Sequence, residues 1–339
     1  IANNTPTIST NLIENVTVKG DIVIDAPDTT GVGGLVGFTY GRFGTIKNCS
    51  YEGTVSSNHQ NMGGITGQMN NASYVIGCSF KGSVTRTAGN SGKHQTGGIV
   101  GHVSTATGLV QDCTFDGSVV AACGNVGGIA GALNGGSTIK NCSVTASSSV
   151  EAGSISDNGI NLGGIVGYIN NSATGGQVLN CTSAATVNSH YYDAGGIAGH
   201  NRGVAIIGCT FSGTVNCDYD DSGEGYNSSG AGSTKYSRIG GIVGDQRGSG
   251  NIDRCTVTGN VNGKKWTGGI VGLVEASGVN NSVFSGKVNG TANVGGVVGY
   301  ISTGSVKSCS VNNATVSATQ NVGGIVGSNK ETGYTTSCK

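Results

Sequence analysis

The sequence predicts an all-β fold, a three-sided parallel β-helix (a β-solenoid) of about ten coils and right-handed, with residues 1–339 as one repeat domain. Three observations predict it. A glycine-rich string recurs at nearly constant spacing, a second string follows it with the period of a half-buried strand, and one position between strands is Asn, Gly or Asp in seven successive copies.

The first string is Gly-Gly-h-x-Gly, with h aliphatic. It begins at Gly33, Gly63, Gly97, Gly127, Gly163, Gly195, Gly240, Gly268, Gly295 and Gly323. The mean period of about 32 residues lies in the window that marks solenoids and propellers. These ten strings take 30 of the 64 glycines, so the glycine excess is mostly repeat and not linker.

The second string, h-x-x-Cys-x-x-x-Gly-x-Val, begins its cysteine 14 to 18 residues after the first. Clear copies are Ile46/Cys49/Gly53/Val55, Val75/Cys78/Gly82/Val84 and Ile206/Cys209/Gly213/Val215. In the eighth repeat Ser282 replaces the cysteine, and Ala146 replaces the glycine after Cys142. A half copy at residues 13–24 (Ile13, Val16, Gly20, Ile22) precedes them all. From the cysteine onward, apolar or small residues fall at 0, +2, +4 and +6, as in Cys113, Phe115, Gly117 and Val119. That period of two is a strand with one buried face.

The upstream aliphatic at −3 is out of phase, so the chain bends between. Position −1 is Asn15, Asn48, Gly77, Asp112, Asn141, Asn180 and Gly208 in successive copies. These types tolerate positive φ, which predicts a left-handed corner. About three strands and three corners per repeat make one coil, rising ~4.8 Å. Parallel crossovers favour the right hand. A propeller blade needs about four antiparallel strands in 40–45 residues, which these repeats are too short to supply. Position +3 reads Lys19, Glu52, Lys81, Asp116, so in-register stacking would alternate charge along one outer ladder.

The pairing of Gly-Gly-Ile-Val-Gly (Gly323–Gly327, Gly163–Gly167) with Ile-Lys-Asn-Cys-Ser (Ile139–Ser143) and Ile46–Val55 resembles the GLUG repeat of bacterial and other microbial surface proteins. The resemblance runs from about residue 13 to 338. It implies adhesin-like proteins, or modules beside the catalytic domains of surface peptidases, and brings no catalytic motif.

Composition narrows the classes further. Eighteen basic residues balance 18 acidic ones, which leaves no footprint for nucleic acid or an anionic membrane. No apolar run reaches the roughly 18 residues of a membrane span. The chain begins at Ile1, which suggests a mature or excised piece of a longer precursor. Nine cysteines (Cys49, Cys78, Cys113, Cys142, Cys181, Cys209, Cys255, Cys309, Cys338) share one register position. Without Cys-x-x-Cys or clustered His they read as buried thiols packing as small hydrophobes, not as metal or redox sites. Rung-to-rung disulfides would need closer Cβ atoms than parallel stacking gives. Cys123 and Cys217 lie off the ladder.

Length variation concentrates just before Gly-Gly, at residues 86–96, 147–162, 187–194 and, longest, 216–239. The insertions should project from one edge, often the binding edge of a solenoid. Candidate binding residues there are Tyr191, Tyr192, Tyr219, Tyr226, Tyr236 and Trp266; the alternative is that these rings pack their own loops. Asp218, Asp220, Ser222 and Glu224, with Gly223 between, resemble the first half of a calcium loop. Ser229 stands where such a loop needs a bidentate glutamate, so a solvated acidic loop competes with a calcium site. Sequons are many, but Asn48, Asn141 and Asn180 already have the corner to form. The strand carboxylates Glu52, Asp112, Asp116 and Asp253 are scattered, and no Ser/His/Asp order or HExxH is present.

The expectation is therefore a non-catalytic, extracellular structural or adhesive solenoid, a stalk or fibre subunit of a cell surface. The alternative is a carbohydrate- or protein-binding module using the loop-decorated edge. No capping element is evident in the sequence, so the ends suggest either a piece of a longer array or subunits stacked head to tail.

Overall fold

The structure is a computed structural model that describes all residues except 1–10, 25–30, 40–43, 59, 88–93, 106, 123, 153–160, 171–174, 220–235 and 331. Short strands stack coil upon coil in three hydrogen-bonded sheets, and the pairings are parallel. The glycine sheet holds ten strands, from Val32–Gly33 to Gln320–Gly323. Ten rungs enclose nine complete turns. The chain is thus an all-β parallel solenoid, and among the described residues no helix is long and apolar enough to cross a membrane.

The expected three strands per repeat undercount the observed segments. The corner sheet contains two strands per coil, such as Thr66–Met69 and Tyr74–Ile76. They fuse into one ten-residue strand at Val271–Asn280 and again at Val298–Lys307. The cysteine sheet runs as eight-residue strands at Ser50–Ser57, Ser79–Arg86 and Thr114–Ala121. In later coils it splits around the +4 position, as in Thr210–Phe211 and Thr214–Cys217.

The two sequence strings need each other. The second glycine of each Gly-Gly but the last lies under the +2 side chain of the cysteine strand. A Cβ at Gly64 would fall 2.3 Å from Phe80 Cδ1 and 2.3 Å from the carbonyl oxygen of Gly98 in the next coil. Any side chain here would collide with a ring on one side and backbone on the other. Freed of it, Tyr51, Phe80 and Phe115 lie face to face up the axis, with ring centroids 5.6 and 5.7 Å apart. Such pairs add ~0.5–1.5 kcal/mol beyond the area they bury. Val55, Val84, Val119, Val187, Val215, Val261 and Val288 continue the same wall, all buried.

The left-handed corner is where the sequence placed it. Asn15, Asn48, Gly77, Asp112, Asn141, Asn180 and Gly208 have φ between 51° and 65°. Arg254, Asn281, Ser308 and Ser337 take the same conformation at the same position (φ 49° to 55°). The ladder at +3 is also in register: Lys81 pairs with both Glu52 and Asp116, and Lys19 Nζ lies 2.7 Å from Glu52 Oε2.

The nine ladder cysteines are free thiols, buried except for half-exposed Cys338. Each donates to backbone, as Cys113 Sγ does to the Gln111 carbonyl at 3.2 Å. Burial pushes the Cys309 thiol up to about 11, so it stays protonated at neutral pH. Off the ladder, buried Cys217 donates to the Tyr191 carbonyl at 3.1 Å; Cys123 falls outside the described residues. Outside the core an asparagine ladder climbs the cysteine sheet. Asn216 donates to Asn188, Asn262 to Asn216 and Asn289 to Asn262, at 3.0, 2.9 and 3.0 Å.

Candidate functional site

The glycine corner has an outer side as well as an inner one. A Cβ at Gly63 would lie 2.2 Å from the Thr66 carbonyl oxygen, so the glycine strand and the corner strand approach backbone to backbone. This close approach brings together, outside the core, the residue two before Gly-Gly and the residue five after its first glycine. In the early coils the pair is neutral. Asn61 Nδ2 donates to Gln68 Oε1 at 2.6 Å. Amides also link rung to rung: Asn125 donates to Gln95 at 2.7 Å and Asn161 to Asn125 at 2.6 Å.

In the next two coils the same positions carry charge. Asp193 and Arg238 occupy the amide column in register with each other, and His200 and Asp245 are paired in the facing column. Arg238 Nε donates to Asp193 Oδ1 at 2.5 Å, and its Nη1 lies 3.3 Å from Asp245 Oδ2. His200 Nδ1 sits 3.1 Å from Asp193 Oδ2 and 3.3 Å from Asp245 Oδ2. Arg247 closes the far side, with Nε 2.9 Å from Asp245 Oδ2 and Nη1 3.6 Å from Glu275 Oε2. The Tyr168 ring covers the imidazole at 5.3 Å between centroids.

Burial fixes what this cluster can do. Asp245 is wholly buried and the Asp193 and Arg238 side chains are 5% and 7% exposed. Burial alone would push the Asp193 carboxyl up, but the Arg238 guanidinium and the His200 imidazole outweigh it and hold it below the usual carboxylate range. Burial likewise works against the Arg238 charge, and Asp193 and Asp245 overcome it. Asp193, His200 and Asp245 bring ligand atoms within 4.8 Å of one another, a spacing a metal ion could use. The Arg238 guanidinium, however, binds both carboxylates, so a second cation would enter beside a buried positive charge. The arrangement is a self-neutralising ion-pair network that ties three successive coils together.

The cluster stands at the root of the longest insertion. The chain leaves the rod through Cys217, Asp218 and Tyr219. Tyr219 packs against Tyr191 and Tyr192 at centroid distances of 5.7 and 5.0 Å, and Tyr191 meets Tyr192 edge-on at 4.7 Å. His190 Nδ1 lies 2.7 Å from Asp218 Oδ1. The chain returns through Tyr236, Ser237 and Arg238. Tyr236, Trp266 and Tyr300 form a second ring stack, 4.6 and 4.7 Å apart, which packs with Leu273 as a buried cluster separate from the main core.

Of the sequence-derived candidates, Tyr191, Tyr192 and Tyr219 thus come together at the outgoing stem and Tyr236 and Trp266 at the returning one. Tyr191, Tyr236 and Trp266 are buried, and Tyr192 and Tyr219 are partly so. Tyr226 and the calcium candidates Asp220, Ser222 and Glu224 lie outside the described residues. Asp218, the first calcium candidate, is the exposed partner of His190.

Sequence reasoning missed Asp193, His200, Arg238 and Asp245. A signal was present: in the column Asn61, Gln95, Asn125, Asn161, the next two residues change to Asp193 and Arg238. Only alignment of the repeats on their glycines exposes the change.

These observations define a class, a parallel β-solenoid built from one repeat whose ornament lies on the outer glycine corner. The model of the GLUG motif matches residues 28–56 and 235–262, each match holding one Gly-Gly string and the Cys-x-x-x-Gly-x-Val string after it. The chain thus carries the GLUG motif in two separate stretches, consistent with a GLUG-repeat family. No curated protein and no solved structure matches it.

Proposed function

We propose that the chain is a non-catalytic structural or adhesive solenoid of a cell surface, a stalk or fibre element that carries its insertion at a fixed height. The observation that carries this reading is the anchoring of the longest insertion at both stems, by rings on one side and by a buried ion-pair network on the other. A scaffold that holds a loop this firmly suits display. The acid and base side chains that converge are buried and neutralise one another, which supports a non-catalytic role. The neutral, Ser/Thr/Asn-rich surface suits an extracellular setting. Antibody labelling of intact against permeabilised producing cells tests the location. Labelling of intact cells is expected, and signal only after permeabilisation would overturn the surface assignment.

The anchored stems also favour the second reading, in which the insertion edge itself binds a carbohydrate or a protein. Replacing residues 220–235 by a short Gly-Ser linker should then abolish adhesion of the producing cells while leaving the melting temperature unchanged. Adhesion that survives the replacement would remove this reading.

A further inference from the structure

A different face of the rod carries a groove. It lies outside the corner strands, where positions −4 and −2 from the ladder cysteine face outward while −3 (Val178, Ile206, Ile252, Val279, Val306) is buried. Position −4 is Tyr74, Leu109, Thr138 and Gln177 in four coils, in register. It then becomes Ala205 and Asn251, which line a hollow, while Gly278 and Ser305 at the same position in the next two coils are buried. The hollow measures about 710 Å³ and crosses five coils, from Gln177 to Lys307. At ~4.8 Å per coil its floor is about 19 Å long.

The lining is chosen by polarity. Gln177, Asn280 and Asn281 offer carboxamides, which both donate and accept, and Asp253 and Lys307 add one charge of each sign. Asp253 is already held by Asn281 Nδ2 at 2.8 Å and by Arg254 Nη1 at 2.7 Å, so the hollow carries no strong field. One coil beyond its end stands Tyr334, 49% exposed, with Lys307 Nζ 5.1 Å from the ring centroid. Carboxamides spread along the floor at Gln177, Asn251 and Asn280, with a solvent-facing ring beyond its end, suit an elongated polar ligand with apolar faces.

We propose that this groove binds a neutral oligosaccharide lying along the rod axis, with one sugar face on Tyr334. The inference deepens the adhesive reading above and rests on it, by naming the substrate class of adhesion and placing it on a second face.

The test uses the full chain, an array of neutral oligosaccharides, and calorimetry with cellotetraose, chitotetraose and maltotetraose. Ala205→Tyr fills the hollow at a register position where Tyr74 already stands, so the variant should fold; Asn280→Ala removes one amide without filling anything. Thr138→Tyr makes the same change on the same face outside the groove. Saturable binding by the wild type, weakened about tenfold or more by Ala205→Tyr and by Asn280→Ala and unchanged in Thr138→Tyr, is expected. Wild-type protein that binds no neutral oligosaccharide would overturn the proposal, as would full binding by a folded Ala205→Tyr or by Asn280→Ala. Adhesion to protein-coated surfaces that Ala205→Tyr abolishes without any sugar binding would overturn the ligand class. If producing cells adhere but no oligosaccharide binds, the groove inference falls while the adhesive reading stands. If the protein is found only inside cells, the adhesive reading falls first.

Discussion

The inside and the outside of the glycine corner obey different rules. Inside, most coils repeat one solution: glycine under the +2 side chain, thiol beside it, valine beyond. Outside, the pair that meets across the same corner is free to change, from Asn61 with Gln68, to Asp193 with His200, to Trp266 beside Leu273. The backbone geometry is common to all three. The repeat therefore specifies a shape, and the outer pair writes a local property onto it: neutral here, charged at the insertion root, aromatic above it.

The largest effect should come from breaking the shared interior. A Cβ at Gly164 would lie 2.1 Å from the Gly196 carbonyl oxygen and 2.4 Å from Ser183 Oγ, whereas a Cβ at Gly324 meets nothing within 4 Å. Gly164→Ala should cost more than about 4 kcal/mol or prevent folding, and Gly324→Ala less than ~1. Circular-dichroism melts of the two variants decide this, and equal costs would refute the packing role of the second glycine.

The next effect belongs to the charged rung. Arg238→Met leaves Asp193 and Asp245 buried without their guanidinium and should cost about 3–5 kcal/mol. The neutral analogue Asn125→Ala should cost only ~1. Rewriting the rung as amides, with Asp193→Asn, Arg238→Gln and Asp245→Asn together, should recover most of the loss by urea titration. A triple variant as unstable as Arg238→Met would show that the charges matter beyond their mutual neutralisation.

Acid should act on both kinds of rung. His102 occupies the outer column in an amide coil, and burial pushes its imidazole down to about 4 from an ordinary 6.5, against a hydrogen bond to Asn134 that favours the charged ring. Between those values the unfolded chain binds a proton that the folded chain refuses. Stability should thus fall by about 3 kcal/mol as pH drops from 6.5 to 4. The depressed Asp193 carboxyl contributes stability that is whole above its unfolded value and is lost as pH falls through its lower folded one. Urea midpoints from pH 8 to 3 should therefore decline in two stages, and His102→Gln, which copies Gln68, should remove the upper stage alone.

The smallest effect is at the surface. Lys81 faces Glu52 and Asp116 in register but in water. Lys81→Gln should lower Tm slightly at low salt and not at all at high salt. A rise in Tm would count against the alternating ladder.

The repeat, its phase and the −1 corner were legible in the sequence because each rests on a local steric rule. Asn48 and Gly77 announce positive φ by type. Arg254 and Ser308 do not, yet they adopt it, because the ladder bonds of neighbouring coils fix the turn around them. The strand count was less legible, since the bend between Thr66–Met69 and Tyr74–Ile76 leaves no periodic mark. The charged rung was not read at all. Its partners are 7 and 45 residues apart, and only the folded corner makes them neighbours.

The free thiols of the cysteine column have a consequence for how such a rod can be taken apart. With no covalent cross-link between layers among the described cysteines, each coil is held to the next by backbone ladder bonds, side-chain amide bonds, stacking and the rare ion pair. Tension applied to the chain therefore has no fixed point to pull against. It should strip off one turn at a time, releasing about 32 residues, on the order of 110 Å of slack, with each. The layers around Arg238 are fastened by mostly buried charges as well, across three turns. A rod of this kind would behave as a graded shock absorber, stiffer at the root of its longest loop.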